Sequence, residues 1–461
     1  MADAALALPD VVVGWMREVG GGRVTRADRV PGGASREAWF VDVELPDGTR
    51  RELFLRYSRV PTPKDSIFHS LRVEGEIMAA LGGTDVRVPG VLAVHPEVEA
   101  ILEERVGGAT WFYRIADPDE QVRVAQDFVT CLAALHRLDP TALHLPSLGP
   151  VRTAREHLEA ELQVIRGRAA PADRSIDPLL EISLDWLDRH MPAYESPVVV
   201  VQGDTGPGNF MYEDGKVTAV VDWELAHFGD PMDDVAWLSL RTVQDTFTHL
   251  PDRLAEYEAL SGHVVDEDRV WYYRLLAEVR LASNGSGGST VPASGSGWEG
   301  RDLGNRLIYS MLHRRLTLEA LGHLTGVAAP ELDLPDPPPA EEWHQLYDGG
   351  LGMLRAITAR EEDPLALQWS KGVVRVLKYL KELDRSGRRL AEAEREDAAR
   401  LLGRWPTDVA EGRRELALAY REGQVDQEVY VGYLWRQVRR DDYLMREASG
   451  QLTERTWPPL R

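Results

Sequence analysis

Three oxygen-bearing side chains lie close together in the segment 198–231. Asp204 is followed five residues later by Asn209, and Asp222 comes directly after the apolar run that ends at Val221. Carboxylate and amide oxygens are ligands that Mg²⁺ prefers, and phosphate oxygens and water complete its octahedral shell. A carboxylate beside such a site can accept the proton of a hydroxyl group during in-line phosphoryl transfer. The segment therefore predicts that Asn209 and Asp222 bind a metal and that Asp204 acts beside them.

A predicted β-hairpin brings the two metal ligands together. Residues 214–215 are Asp-Gly between two β-rich runs, which favours a two-residue type I′ turn. With that turn, Asn209 lies opposite Val220, and Asp222 is diagonal to Asn209 on the same face. Diagonal neighbours have Cβ atoms at most about 7 to 8 Å apart, within reach of one cation. Taken alone, each of these residues is more often a turn or strand-end residue. Their convergence favours a functional role.

The chain divides into segments of different composition. From about residue 22 to 106 short β-rich runs alternate with turn signals, and one helix is predicted over 66–81. Residues 107–328 are mainly helical, and the proline-rich segment 329–340 reads as a linker. Residues 341–461 predict a helical bundle. Its helices are expected at roughly 341–357, 365–383, 388–403, 407–422 and 427–446.

The β-rich segment offers further charged and flexible positions. A two-residue turn at 47–48 places Arg56 opposite Trp39 in a hairpin. Glu74 falls on the apolar face of the following helix, where a charge is costly without a partner, so we expect it to pair with Arg56. The alternative is a solvated Glu74. Residues 31–35, Pro-Gly-Gly-Ala-Ser, form a flexible turn of the kind that lets backbone amides approach phosphates.

These motifs together resemble those of the aminoglycoside phosphotransferase and choline kinase-like family. The catalytic-loop motif of the family is His-Gly-Asp-x4-Asn. It corresponds here to residues 202–209, with Gln202 in place of the histidine. Its metal strand Ile-Asp-Trp-Glu stands here as 221–224, Val-Asp-Trp-Glu, and Gly-Asp-Pro follows at 229–231. The resemblance covers roughly residues 20–325. It implies an α+β, bilobal, protein-kinase-like fold with a small β-rich N-lobe and a mainly helical C-lobe, followed by an all-α bundle of unknown function.

The resemblance also implies roles for individual residues. Residues 1–106 would form the nucleotide-binding lobe and 107–328 the catalytic and substrate lobe, with ATP and Mg²⁺ as cofactors and GTP left open. Asp204 would be the catalytic residue. The positions assigned to the nucleotide are Gly33, Ser35, Arg56, Glu74 and the backbone of Glu104 and Val106. The family places a lysine where Arg56 stands, and an arginine binds phosphate with a different geometry. Gln202 can donate and accept hydrogen bonds, as the family's histidine does.

Composition excludes several other classes of protein. The chain has 461 residues, with 53 Lys and Arg against 75 Asp and Glu, a formal net charge of −22. Such a charge disfavours non-specific binding to nucleic acids and to anionic membranes. The single cysteine, Cys131, excludes an intramolecular disulfide and a thiolate zinc site. Because neither a secretory leader nor an apolar run of about 18 residues is apparent, we expect a soluble, cytoplasmic protein.

The leading hypothesis is ATP-dependent, Mg²⁺-assisted phosphoryl transfer to a hydroxyl group of a small molecule. The sequence of residues 223–231 is similar to that of bacterial kinase-like proteins related to the N-terminal part of some acyl-CoA dehydrogenases. Those kinase-like proteins are associated with hydroxyacyl thioesters. A metabolic hydroxyl acceptor, such as a hydroxyacyl-CoA, is therefore preferred, and a cationic aminoglycoside stays open because the chain is acidic. The alternative is a catalytically silent nucleotide- or ligand-binding protein whose helical bundle recruits partners. Gln202 and Arg56 keep that alternative open.

Overall fold

The computed structural model describes residues 8–30, 36–63, 66–169, 177–193, 196–283, 303–332, 334, 336 and 338–461. Within these residues a small antiparallel sheet is followed by a mainly helical region, which is the α+β class predicted from the sequence. Spatial contacts divide the chain into two compact units. The first comprises Met1–Glu159, Ala193–Glu267 and Pro458–Arg461, and the second comprises Ala160–Pro192 and Asp268–Trp457. The division into two lobes, a linker and a bundle stays a prediction.

The first unit begins with a five-stranded antiparallel sheet in the order β1-β2-β3-β5-β4. Its strands are β1 (Arg23–Val30), β2 (Glu37–Glu44), β3 (Arg50–Tyr57), β4 (Val91–Val94) and β5 (Ala100–Glu104). Helix α1 (Asp10–Gly20) covers one face, where its Val12 and Trp15 join a buried apolar cluster with Trp39 and Leu55 of the sheet. Helix α1 precedes the segment 22–106, for which the sequence predicts one helix, and α2 below is the α-helix of that segment.

The β2–β3 hairpin decides which face of the sheet carries Arg56. The Gly48 amide donates to the Leu45 carbonyl oxygen at 2.9 Å, and Gly48 has a φ of 84°. This is a three-residue loop whose last residue is left-handed, and it shifts the register by one relative to a two-residue turn. Arg56 therefore pairs with Ala38 and not with Trp39 as predicted. The shift places Arg56 on the face opposite the buried Trp39.

The helix after β3 begins later than predicted. It is α2 (Leu71–Leu81), and the predicted first residues 66–70 are not helical. The Ser70 side chain caps the helix by accepting a hydrogen bond from the Val73 amide at 3.4 Å, so Ser70 ends the preceding extended segment. Glu74 lies in the first turn of α2 and is buried.

The middle of the chain contains the short strands that carry the predicted site. The next elements are α3 (Pro118–His136), α4 (Ala154–Ala169), α5 (Pro178–Arg189), β6 (Val199–Val201), β7 (Phe210–Glu213), β8 (Lys216–Val220), β9 (His227–Gly229), α6 (Pro231–Gln244) and α7 (Leu250–Ser261). β6 pairs with β9 and β7 pairs with β8, both antiparallel. Asp230 caps α6, because its side chain accepts from the Met232 amide at 2.8 Å and Pro231 takes the first helical position.

The second unit is built from helices. Those that follow α7 are α8 (Glu267–Ser283), α9 (Leu303–Thr325), α10 (Gln345–Thr358), α11 (Pro364–Leu402), α12 (Val409–Arg421) and α13 (Gln427–Ser449). Helices α11 and α13 both pack against α9. Across the part of the chain that the structure describes, no helix has the length and apolar character needed to cross a bilayer.

Helix α11 corrects one detail of the predicted bundle. Two helices over 365–383 and 388–403 were expected, but α11 is a single helix of 39 residues. A glycine in a helix interior costs only about 1 kcal/mol relative to alanine, so Gly387 does not end the helix. The Asp363 side chain caps its start by accepting from the Ala366 amide at 2.8 Å.

Candidate active site

The loop between β6 and β7 carries the central site residue, Asp204. It follows Gly203, which has a φ of 83°. A Cβ atom at Gly203 would lie 2.3 Å from the carbonyl oxygen of Leu225, so only glycine allows the loop to approach that segment. Asp204 is thereby held against the chain that follows the predicted metal ligand Asp222.

Gln202 organises this loop through hydrogen bonds at both ends of its amide. Its Oε1 accepts from the Asp204 amide at 2.9 Å and from Thr205 Oγ1 at 3.0 Å. Its Nε2 donates to the carbonyl oxygens of Val221 and Asp222 at 3.1 and 2.6 Å. One side chain therefore links the segment of Asp204 to the segment of Asp222. The expectation that glutamine can make both kinds of hydrogen bond here is confirmed.

Asp234 of α6 fixes the loop from the other side, and sequence reasoning missed it. This buried carboxylate accepts from the amides of Gln202 and Gly203 at 2.8 and 2.9 Å. His136, at the end of α3, places Nε2 at 3.0 Å from Asp234 Oδ2, the oxygen that also accepts from the Gln202 amide. Asp234 follows Asp233 in the first turn of α6, and its position among apolar residues of that turn is the signal that could have found it.

Arg241 of α6, which sequence reasoning also missed, binds the Asp204 carboxylate. Arg241 Nε donates to Asp204 Oδ1 at 2.7 Å, and its Nη2 binds Oδ2. Asn209 Nδ2 donates to Asp204 Oδ2 at 2.6 Å. Burial raises the pKa of Asp204, while Arg241 and the Asn209 amide oppose that shift. A basic residue in the last turn of a largely buried helix was the available signal for Arg241.

The β7–β8 hairpin has the predicted turn but not the predicted register. Asp214 has a φ of 50° and Gly215 a φ of 75°, as a type I′ turn requires. A β-bulge between Met211 and Tyr212 then shifts the pairing by one residue. The Asn209 carbonyl oxygen therefore accepts from the Val221 amide at 2.9 Å, so Asn209 lies opposite Val221. The prediction that Asn209 faces Val220 is wrong.

Asp222 reaches the site by leaving the strand. It has a φ of 65°, a left-handed conformation that is uncommon for a residue other than glycine. Strained backbone of this kind occurs where the surrounding structure holds a functional side chain in place. The charge of Asp222 contributes to raising the pKa of Asp204. The side chain is 33% exposed, and its Oδ1 lies 3.2 Å from Arg56 Nη2.

Arg56 and Glu74 form the predicted ion pair. Arg56 Nη1 lies 2.5 Å from Glu74 Oε2, and the same guanidinium contacts Asp222 through its other nitrogen. Arg36 binds the second oxygen of Glu74 and lies 3.5 Å from Glu224. Sequence reasoning missed Arg36, although it directly follows the glycine-rich turn at 31–35.

Acidic groups outnumber the cations around Asp222. Burial raises the pKa of Glu224 to about 7, and the charge of Asp222 adds to that shift. Burial likewise raises the pKa of Glu103 to about 7, with Arg56 opposing the shift. Asn209 Nδ2 is turned toward Asp204, so its amide oxygen takes no part in that contact. The donor set of Asp222 and Asn209 therefore fits a hard divalent cation, which would offset the excess negative charge.

Of the positions predicted to contact the nucleotide, those near the adenine are described by the structure and those of the glycine-rich turn at 31–35 are not. Glu104 ends β5, and its amide donates to the Gly90 carbonyl oxygen at 2.8 Å. Val106 follows in the loop after that strand. Gly33 and Ser35 lie outside the described residues. The nucleotide-binding roles of these residues stay predictions.

The sequence profile of one protein family matches more than half of the chain. The family is described as the phosphotransferase enzyme family, and the match covers residues 26–270. It therefore includes Arg56, Asp204 and Asp222.

Curated relatives match shorter stretches. Acyl-CoA dehydrogenase family member 10 of Mus musculus is 30% identical over 206 residues, 41% of this chain and 18% of that protein. Acyl-CoA dehydrogenase family member 11 of Rattus norvegicus is 32% identical over 126 residues, 27% of this chain and 16% of that protein. The chain thus spans less than a fifth of the length of these relatives.

Solved structures are similar at lower identity. A putative aminoglycoside phosphotransferase from Ralstonia eutropha is 19% identical, with a TM-score of 0.46, and the match covers 79% of this chain and 97% of that one. A thermostable mutant aminoglycoside phosphotransferase in complex with ADP and hygromycin B is 19% identical, with a TM-score of 0.44, covering 59% and 90%.

Proposed function

Because the chain belongs to the phosphotransferase enzyme family, we propose that it transfers the γ-phosphoryl group of ATP to a hydroxyl group of a small molecule. The observation that carries the proposal is the position of Asp204, whose carboxylate lies beside Asn209 and interacts electrostatically with Asp222. A carboxylate next to two oxygen ligands is what in-line phosphoryl transfer to a hydroxyl requires.

Asp204 is the residue that receives the proton of the acceptor hydroxyl. Its burial raises its pKa, which strengthens it as a base, and the bidentate contact with Arg241 keeps it oriented. Arg241 is a positioning residue because it acts through Asp204. The hydrogen bonds of Gln202 hold the Asp204 loop at a fixed offset from Asp222, so the hydroxyl and the phosphoryl group meet in line.

Arg56 is the residue proposed to bind the phosphates of the nucleotide. It is anchored by Glu74, and its contact with Asp222 puts the guanidinium next to the proposed metal ligands. A guanidinium offers several donors in a planar fork, which suits phosphate oxygens. Asn209 and Asp222 would hold Mg²⁺, which, when bound, neutralises charge on the transferring phosphoryl group.

The remaining nucleotide contacts are proposed from the sequence. The amide groups of the turn at 31–35, with Gly33 and Ser35, would bind phosphate oxygens. The backbone of Glu104 and Val106 would hydrogen-bond the adenine. The Glu104 amide already donates to Gly90, so the Glu104 carbonyl oxygen is the atom we assign to the base.

For the acceptor we prefer a metabolic hydroxyl compound of the hydroxyacyl-CoA kind. The support is the 30% identity to a relative named as an acyl-CoA dehydrogenase family member. An aminoglycoside stays the competing acceptor, because the net charge of −22 suits a cationic substrate.

A product screen tests the proposed function. Wild-type protein and the Asp204→Asn variant are incubated with ATP, Mg²⁺ and a panel of alcohols, hydroxyacyl-CoAs and aminoglycosides, and products are analysed by mass spectrometry. A compound that gains one phosphoryl group with the wild type, and at least 100-fold more slowly with the variant, supports the proposal. Product formation at equal rates with both proteins contradicts it.

The second candidate is a silent nucleotide-binding protein on the same fold. The observation in its favour is that Arg241 engages both oxygens of Asp204, the atoms a base must use. Calorimetric titration with ATP and Mg²⁺ separates the candidates when it is combined with the screen. Nucleotide binding without turnover of any acceptor would favour the silent protein.

A further inference from the structure

A buried carboxyl group with one unpartnered oxygen lies on the sheet face that carries Arg56. Glu103 is the fourth residue of β5 and only 3% exposed. Its Oε1 is buried and takes no hydrogen bond from any described residue. A buried carboxyl oxygen without a donor is costly and calls for an explanation.

The strand register places Glu103 next to an aromatic pair. Phe54 of β3 lies directly between Phe40 of β2 and Glu103 of β5. The rings of Phe40 and Phe54 have centroids 5.8 Å apart, and Phe40 is 37% exposed. Directly paired residues point to the same face with Cβ atoms about 4.5 to 5.5 Å apart. The three side chains therefore form one row across the sheet.

The row lies at a suitable distance from the proposed phosphate-binding residue. Arg56 pairs with Ile101, so it is one same-face step along β3 from Phe54. That step is about 6.8 Å, comparable to the distance between a nucleobase and the phosphates of its nucleotide. A base stacked against the Phe54 ring would therefore present an edge to Glu103 while its phosphates reach Arg56.

We propose that Glu103 reads the group at position 6 of the nucleobase and makes the protein select ATP over GTP. Adenine carries an amino group there, which donates the hydrogen bond that Oε1 lacks, whereas guanine carries an oxygen, which would face Oε1 acceptor against acceptor. The inference rests on the proposed function, since it needs a nucleotide in this site. It extends the predicted contacts of Glu104 and Val106 from the backbone to a side chain.

Selectivity of variants tests the inference. For wild type, Glu103→Gln and Glu103→Leu, kcat/KM for nucleotide turnover and Kd by calorimetry are measured with ATP and with GTP. We expect the wild type to favour ATP by at least about 30-fold. Glutamine keeps an acceptor for the adenine amino group but adds an Nε2 donor that can meet the guanine oxygen, so it should still bind ATP while its ratio falls below fivefold. Leucine offers no acceptor, so its ratio should fall below fivefold.

The control is Glu97→Gln, which removes an exposed carboxyl from the β4–β5 loop and should leave the ratio unchanged. A wild type that prefers GTP, or a leucine variant that keeps the wild-type ratio, overturns the inference and leaves the proposed function standing. Failure of the wild type to bind either nucleotide overturns both. Melting temperatures of all variants establish that they are folded, and ATP binding by Glu103→Gln keeps the test decisive should Glu103→Leu not fold.

Discussion

Two clusters of buried charges, one in each unit, differ in which charge is in excess. In the second unit Asp397 of α11 is 1% exposed and bound by Arg400, Arg436 and Arg440. Burial alone would raise its pKa, but Arg440 and Arg436 lower the pKa overall. In the first unit one guanidinium, that of Arg56, is shared between two carboxylates.

The difference separates a structural cluster from a candidate site. A carboxylate saturated by arginines has no remaining demand for a ligand, and its role is to hold helices together. Around Asp222 the acidic groups exceed the cations, and both Glu224 and Glu103 have pKa values raised to about 7. Perturbed carboxyl groups that cluster in this way mark functional sites more often than structural ones. The excess negative charge is what a bound divalent cation would offset.

The largest effect expected from this comparison is on catalysis. Replacing Asp204 with asparagine removes the base but hardly changes the size of the side chain that contacts Asn209. Because the base is lost, kcat should fall about 1,000-fold. The measurement is steady-state turnover with the acceptor found in the product screen. Asp397→Asn is the matched control in the structural cluster and should leave kcat within twofold. Equal kcat values for wild type and Asp204→Asn would remove the distinction between the clusters.

The second expected effect is on stability, and here the structural cluster around Asp397 is the sensitive one. Asp397→Asn leaves three arginines around a neutral group, and breaking a buried ion pair from one side costs about 3 to 4 kcal/mol. Urea denaturation should show this loss in the free energy of unfolding. The matched control is Glu396→Gln on the same helix, where the carboxylate is 60% exposed and the expected change is within about 0.5 kcal/mol. A similar loss in both variants would contradict a structural role for Asp397.

How far the sequence predicts the site depends on which kind of interaction positions each residue. The Arg56–Glu74 pair follows from the cost of a charge on an apolar helix face, and it is present. Both hairpin registers were wrong by one residue, because a three-residue loop at Gly48 and a bulge after Met211 each added a residue that turn propensity does not reveal. Asp222 still reaches the site because its left-handed backbone re-aims it.

The residues that sequence reasoning missed share a cause. Asp234 and Arg241 both lie on α6 and act on the β6–β7 loop, 30 or more positions earlier in the chain. Arg36 directly precedes β2 and acts on Glu74 of α2. Such pairs depend on tertiary packing, and helical periodicity predicts only which side of one element is buried.

The third prediction concerns pH. The pKa of Glu103 is about 7 in the folded protein and about 4.3 in an unfolded chain. Between these values the folded state binds more protons, so stability falls as the pH rises through this window. Relative to Glu103→Gln, the wild type should lose up to about 3 kcal/mol between pH 4 and pH 8. Urea denaturation at several pH values measures the difference, with Glu97→Gln as control. Parallel pH profiles for wild type and Glu103→Gln would contradict the raised pKa.

The smallest effect expected is at Gln202, because its hydrogen bonds act on Asp204 and Asp222 only indirectly. Gln202→Ala removes the acceptor of the Asp204 amide and the donor to the Asp222 carbonyl oxygen. We expect kcat to fall about 10- to 50-fold, equivalent to about 1.4 to 2.3 kcal/mol, with the KM for ATP within threefold.

Gln202→His restores the residue that the family motif carries, and it should keep kcat within fivefold of the wild type. A purely structural role would lower the melting temperature of the alanine variant and leave kcat per folded molecule unchanged. The concentration of Mg²⁺ needed for half-maximal activity gives an independent readout, because loss of the anchor on Asp222 should raise it. If neither kcat nor the Mg²⁺ requirement changes in Gln202→Ala, the link between the two segments has no part in positioning, and the site must be held together by Asp234 and Arg241 alone.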